Sequence, residues 1–466
     1  MKKHIRTSLI ALILAIPGFL PAQYFKFMDF SPYSGQSPNG SVILDSVSQT
    51  LYGMTYNGGA NGNGTIFRFD LAGAGFIKLM DLTQDSGANP RGSLLKFRST
   101  LFGMTSTGGA NGYGTIFKIR TDGTNFKDLF DFNLSSTGGD PNGSLILSGD
   151  LLYGMTYDGG ASGKGVIFSI DTNGSAYTVL HSFNGTDGAN PWGDLALGGN
   201  MLYGMTKYGG AGANFGTVFK MEITGANFNR MFSFDWVHNG GYPYGSPTLI
   251  NGFLYGMTSQ GGNNGDGTIF KMNTSGIGFS KLFDFNAATT GRGPWGNLVY
   301  DGTSLFGMVD GNGSPNLGTI FSVGTDGNNY ESIYNFTDPL NGSSPRGTPV
   351  VVPIPGGTIF YGMMMQGGGT NDGVLFKYNT LGTGISPVQE KISVSVFPVP
   401  ASHILYVRSS DLIMEIRIID MLGKLVYLDK PTQQEVKIPI DNLDKGIYFI
   451  QIQGLSQNFT RKFIKE

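Results

Sequence analysis

Catalysis needs a nucleophile with a base, a pair of acids or a cluster of metal ligands, and this chain offers few of each. It has no cysteine, which removes thiol catalysis, disulfides and thiolate metal sites together. Apart from His4 near the start, only His181, His238 and His403 remain, and His403 belongs to the distinct C-terminal segment, which leaves little for a nucleophile–base arrangement. His181 stands in a strand-like run, where a packed or solvated ring is expected in place of a base. Sugar hydrolysis uses two carboxylates at one site. Asp194 is the single acid at the start of an inner strand, so it is a weak catalytic candidate without a partner. Asp158, Asp266, Asp310 and Asp372 each sit alone in a glycine-rich stretch, whereas calcium gathers several oxygen ligands, so no metal site is expected. The run Gly58-Gly59-Ala60-Asn61-Gly62-Asn63-Gly64 suggests a dinucleotide loop, but that site needs a helix N-terminus behind it and here the glycines lead into a strand. Turns that need positive φ explain them, and no cofactor is expected.

The residues better suited to chemistry are ones that bind. Pro-x-Gly recurs at Pro38, Pro90, Pro141, Pro191, Pro243, Pro294 and Pro345, and its middle residue varies: Asn39, Arg91, Asn142, Trp192, Tyr244, Trp295 and Arg346. Aromatic faces stack on the C–H faces of sugars while polar groups take the hydroxyls. Two of the three tryptophans occur at this position. The competing reading is that these loop tips drift freely and the tryptophans pack on neighbouring loops.

The elements that would hold these tips are written seven times. Leu101 to Thr105, a glycine-rich gap and Gly114 to Ile119 form the clearest copy. The central glycine recurs as Gly53, Gly103, Gly154, Gly204, Gly256, Gly307 and Gly362, at spacings of 50 to 55 residues; such periods mark a repeat architecture. Each repeat reads as four short strands, for example Gly92 to Phe97, Leu101 to Thr105, Thr115 to Ile119 and Phe126 to Phe132. The linkers are too short for parallel crossovers. The strands are apolar on both faces, so both faces must be covered. A seven-bladed β-propeller, all-β with four-stranded blades, is the expected fold. An extra aromatic copy at Tyr24 to Phe30 stands ahead of the first repeat and would complete the seventh, anchored by Phe25, Phe27, Met28 and Phe30. The aspartates Asp29, Asp81, Asp131 and Asp284 repeat with the outer strands and read as structural hydrogen-bonders.

The chain's 74 glycines, 34 phenylalanines and 14% charged residues agree with a β-rich, turn-dense body. A net charge of −2 leaves no electrostatic footprint for nucleic acid. Residues 1–22 read as a signal peptide: a basic start at Lys2, Lys3 and Arg6, an apolar run broken by Pro17 and Gly18, and cleavage after Ala22. The run is short for a membrane span, so no transmembrane segment is expected once it is removed. The repeats fill 23–384, a linker follows at 385–391, and a strand-rich segment at 392–466 reads as a small Ig-like β-sandwich.

The repeats resemble the tandem-repeat family called GloVer. Its Leu-Tyr-Gly-x-Thr, Gly-Gly and Gly-Thr-x-Phe pattern is met at Leu51 to Phe67 and in the repeats at Leu101, Leu152, Leu202 and Leu254. Met308-Val309-Asp310 and Met363-Met364-Met365 depart from it. The resemblance implies a propeller-like fold and an exported life, and carries no activity. The last segment is similar to the type A C-terminal sorting domain of the type IX secretion system. The matching residues are Phe397 to Ser402, Asp420-Met421-Leu422-Gly423-Lys424, Lys445-Gly446-Ile447-Tyr448 and Phe459 to Ile464, with Gly423, Lys445, Gly446, Tyr448, Arg461 and Lys462 as the sorting motif. Val399 stands where that family has asparagine. This resemblance implies Bacteroidetes-type export across the outer membrane, the secretion machinery and its sortase as partners, and attachment or release at the cell surface. The reading is a non-catalytic surface binding module for a glycan. A polysaccharide-cleaving hydrolase or lyase is the alternative, and a structural or adhesive protein that binds other proteins is a second.

Overall fold

The computed structural model describes residues 22–466 apart from 74, 213, 312–316, 382–393, 398, 422–423, 432 and 455–457. The signal peptide up to residue 21, the linker and Gly423 therefore lie outside the described residues. The chain divides into two compact units, Met1–Gly384 and Ile385–Glu466.

In the second repeat, Leu95–Phe97, Thr100–Thr105, Thr115–Arg120 and Lys127–Asp131 pair in chain order, each antiparallel to the next. The recurring glycine has a steric cause. Gly103 lies opposite Phe117, whose ring folds over it so closely that a Cβ would come within 2.4 Å of the ring tip. All seven repeats keep this glycine–phenylalanine pair, with the corresponding approach between 2.3 and 2.6 Å. Just beyond it, Thr105 and Thr115 meet hydroxyl to hydroxyl at 3.0 Å, fully buried. The threonines of the first, fourth and fifth repeats do the same. A buried hydroxyl needs such a partner.

Both faces of each sheet are covered by the neighbouring sheets, which explains the lack of apolar–polar alternation. The contact is uniform: Phe132 meets Phe168 edge-on at 5.4 Å, and Phe183–Phe219, Phe234–Phe270 and Phe285–Phe321 repeat it at 5.3 to 5.4 Å. The fourth strand of the seventh sheet comes from the N-terminus, where Gln23–Asp29 pairs with Val374–Asn379. Tyr24 stacks on Tyr334 of the sixth repeat and donates to the Asn341 carbonyl, while Phe27 stacks on Phe69 of the first repeat. Phe30 is fully buried against Phe67. Tyr24 takes the anchoring role expected of Phe25, whose ring faces Lys377 instead.

Two expectations are corrected. Among the described residues the repeats form seven separate four-stranded antiparallel sheets, and no sheet closes into a barrel or propeller. The physical reason is that every ladder runs only between strands of one sheet, so each sheet keeps two edges and meets its neighbours through side chains and loops. The C-terminal unit departs from the separate pair of sheets expected of an Ig-like sandwich: its six described strands are linked through one shared strand. Ile404–Asp420 runs through as a single 17-residue strand. Its first part pairs with Val394–Phe397 and Gln433–Pro439, and its second with Leu425–Asp429 and Gly446–Gly454. Leu405, Val407, Ile416, Ile418, Ile438, Ile450 and Phe463 make the core of this unit.

Candidate functional site

The seven Pro-x-Gly segments meet in one place. Each glycine lies against the backbone of the next repeat so closely that a Cβ would sit 2.1 to 2.6 Å from a carbonyl oxygen, and the contacts return from Gly347 to Gly40. Only glycine fits there. The residue after each glycine completes a circuit of hydrogen bonds. The N–H of Ser41 donates to Ser93 Oγ, Ser93 to Ser144 Oγ, and Ser144 to Asp194 Oδ1. Asp194 then donates to Ser246 Oγ, Ser246 to Asn297 Oδ1, Asn297 to Thr348 Oγ1 and Thr348 back to Ser41 Oγ, all at 2.5 to 2.8 Å. Asp194 is therefore one acceptor among seven. Burial pushes its carboxyl above the ordinary range, against the pull of the Ser144 N–H. The signal for this circuit was available in the sequence: the residue after every Pro-x-Gly carries a short side-chain oxygen.

The middle residues are brought together over this circuit. Asn39, Arg91, Asn142, Trp192, Tyr244, Trp295 and Arg346 all border one small cavity of about 60 Å³. Trp192 meets Tyr244 and Trp295 edge-on at 5.2 and 6.0 Å, and the Tyr244 and Trp295 rings lie 3.8 Å apart. Arg346 lies 4.2 Å over Trp295, and Arg91 lies 5.3 Å from Trp192 and donates to the Tyr56 hydroxyl. Asn142 is buried. The tryptophans do pack on neighbouring loops, and their mutual packing forms a continuous aromatic cluster.

A second set of residues joins them. The position following Gly-Met-Thr in each repeat, or its equivalent, holds Tyr56, Ser106, Tyr157, Lys207, Ser259, Asp310 and Met365. It varies as the Pro-x-Gly middle does, a signal that reading the loop tips alone overlooks. Tyr157 meets Trp192 edge-on at 5.5 Å. The Lys207 ammonium sits among four rings, 5.8 Å from Tyr157, 5.0 Å from Trp192, 4.7 Å from Tyr208 and 4.6 Å from Tyr244. Burial alone would lower its pKa, but the Tyr244 and Tyr208 hydroxyls hold it above the usual lysine value. Burial lowers that of Arg346, and nearby Asp310 opposes the shift.

Beside the cluster, between the fifth and sixth repeats, opens a cavity of about 440 Å³. Tyr244 and Trp295 form its aromatic wall, and Gln260, Asp266, Arg292 and Asp310 supply polar groups. It can accept a ligand with an apolar face and several hydroxyls. Asp266 has one carboxylate oxygen engaged by the Ala287 N–H.

The remaining candidates take structural positions. Asp158 accepts from Asn190 Nδ2, and Asp372 from Gln36 Nε2. Among the described residues, no three acidic or histidine side chains gather as a metal site would require. His181 stacks on Phe228 at 3.7 Å and pairs with Asp187. His238 and His403 are exposed beside Asp235 and Asp441. Asp81, Asp131 and Asp284 accept the N–H groups of Ala60, Ala110 and Asn263, fastening the glycine turns to the outer strands. In the C-terminal unit Lys445 precedes the strand that starts at Gly446, Tyr448 is buried against Phe463, and Arg461 and Lys462 lie on the last strand.

Comparison with known proteins agrees with this architecture. The Gloeobacter/Verrucomicrobia repeat matches residues 21–215 and 201–388, and the secretion system C-terminal sorting domain matches residues 395–466. No curated protein matches the chain. Among solved structures, the extracellular domain of the hybrid two-component system BT4673 from B. thetaiotaomicron aligns with a TM-score of 0.51 at 12% identity, over 96% of this chain and 59% of that one. PorZ, a surface component of the type IX secretion system of Porphyromonas gingivalis, aligns with a TM-score of 0.45 at 15% identity, over 94% of this chain and 61% of that one. The GH74 enzyme of Niastella koreensis aligns at 0.47 and 12%, over 91% and 72%. The chain thus spans about three fifths of the length of the first two, and at such identities likeness concerns fold alone. The sorting domain gives the protein its address, outside the outer membrane at the cell surface or beyond it. With seven copies of one four-stranded unit and a terminal export signal, the chain belongs to the Gloeobacter/Verrucomicrobia repeat family and is a cargo of the type IX secretion system.

Proposed function

We propose that the mature chain is a non-catalytic binding module that holds a glycan outside the cell. The observation that carries this reading is the cavity walled by Tyr244 and Trp295 and edged by Gln260, Asp266, Arg292 and Asp310. Rings for sugar faces stand beside donors and acceptors for hydroxyls. Trp192 packs behind both rings and supports them. The test is a glycan array followed by titration of any hit. Trp295→Ala should weaken binding about tenfold or more, and Trp192→Ala should weaken it less, because that ring acts through its neighbours. Loss of both tryptophans with undiminished binding would place the ligand elsewhere.

One observation favours a second reading. Asp266 and Asp310 border the same cavity, and two carboxylates flanking a bound sugar are what glycoside hydrolysis requires. Release of reducing ends from a bound polysaccharide, abolished by Asp310→Asn, would establish a hydrolase; binding without release supports the module.

A further inference from the structure

Three cations touch the aromatic cluster: Arg91 and Lys207 at Trp192, Lys207 again at Tyr244, and Arg346 at Trp295. None of the three forms an ion pair within 4 Å among the described residues. The Nε atoms of both arginines are enclosed without a hydrogen-bond acceptor among the described residues. A cation withdrawn from water normally finds a counter-charge.

The nearby acids are engaged elsewhere or face the arginines. Asp310 faces Arg346, and Asp140 faces Arg91. Asp158 is held by Asn190 and neighbours Lys164, and Asp266 binds the Ala287 N–H. Lys207 is left with four rings and no carboxylate. It is the one repeat in which the position after Gly-Met-Thr is basic.

We propose that the loop-tip cluster selects an acidic saccharide, its carboxylate turned toward Lys207 and Arg346 while its ring stacks on Trp295 and Tyr244. The inference rests on the glycan-binding reading and specifies the class of glycan. A carboxylate brought to the cluster would be attracted by both cations in a site already partly dry, where charge-assisted contacts are strong. A neutral sugar would leave Lys207 without a counter-charge and Arg346 with Asp310 alone.

The experiment titrates the full chain with polygalacturonate, with fully methyl-esterified pectin, which has the same backbone without charge, and with dextran sulfate. Polygalacturonate should bind about tenfold or more tighter than the ester. Lys207→Met, which keeps the side chain's length and drops its charge, should bring the two polymers to within about threefold of each other, as should Arg346→Gln, while Lys207→Arg retains the preference. Trp295→Ala should weaken both polymers. Equal binding of acid and ester, with Trp295 still required, overturns the acidic preference and leaves the glycan reading intact. Capture of dextran sulfate that survives Trp295→Ala identifies unspecific charge attraction and overturns the proposal. Failure to bind any of the three overturns the proposal and counts against the glycan reading too.

Discussion

At the scale of single residues, the site shows how a position that invites a catalytic reading can be structural. Asp194 is an acid at the mouth of an inner strand, but its Oδ1 accepts the Ser144 N–H and its own N–H serves Ser246. The equivalent positions use serine, asparagine or threonine, so the position requires an acceptor and not a charge. Asp194→Asn should therefore leave thermal stability unchanged or slightly raised, since it removes a desolvated carboxylate. Asp194→Ala strands a buried N–H and should cost about 1–3 kcal/mol. Thermal melts of the two variants check this, and an asparagine variant as unstable as the alanine one would contradict it. The same logic separates what the sequence makes legible at this scale from what it hides. The variable Pro-x-Gly middle stands out against constant flanks, and all seven residues do converge. Lys207 is hidden in the sequence because one lysine following Met-Thr looks like any solvated residue; only the fold surrounds it with rings from its own loop and three others.

At the scale of the element, the strand pattern was legible because each repeat writes it again. The second repeat's Thr100–Thr105 and Thr115–Arg120 lie where the Leu-Phe-Gly-Met-Thr and Gly-Thr-Ile-Phe runs place them. The closed propeller did not follow, because strand periodicity specifies ladders within a sheet and says nothing of how separate sheets meet. In the C-terminal unit Gln433–Pro439 is hard to read as a strand because its polar start masks the alternation that buries Val436 and Ile438. The element with the sharpest consequence is Gln23–Asp29. It contributes side chains to three repeats at once: Tyr24 to the sixth, Phe27 to the first, and its backbone to the seventh. Deleting residues 23–30 would expose the edge of Val374–Asn379 and lose the burial of Phe27 and Phe30, each worth about 1.5–3 kcal/mol. The shortened chain should melt at lower temperature and elute as aggregates in size-exclusion chromatography. A monomeric profile with an unchanged melt would contradict the tie between the first and last repeats.

At the scale of the whole molecule, the two units have separate cores. Every residue of the C-terminal core lies between Ala401 and Phe463. Among the described residues, the clusters of the repeats draw only on the first unit, on residues such as Phe30, Phe67 and Phe376. Removing the C-terminal unit therefore takes no side chain out of the core of the repeats, and domains with their own cores fold alone. Its sequence carries the export signal, with Tyr448 packed on Phe463 and Arg461 and Lys462 on the final strand. Deleting Ile392 to Glu466 should consequently uncouple fold from address. The truncated chain should keep its melting temperature and protease resistance, yet accumulate in the periplasm. Cell fractionation with a surface-protease assay reads the location, and a melt of the purified fragment reads the fold. A truncated chain that still reached the surface would show that the repeats carry an export signal of their own; one that failed to fold would show that the repeats depend on the unit that the core assignments separate from them.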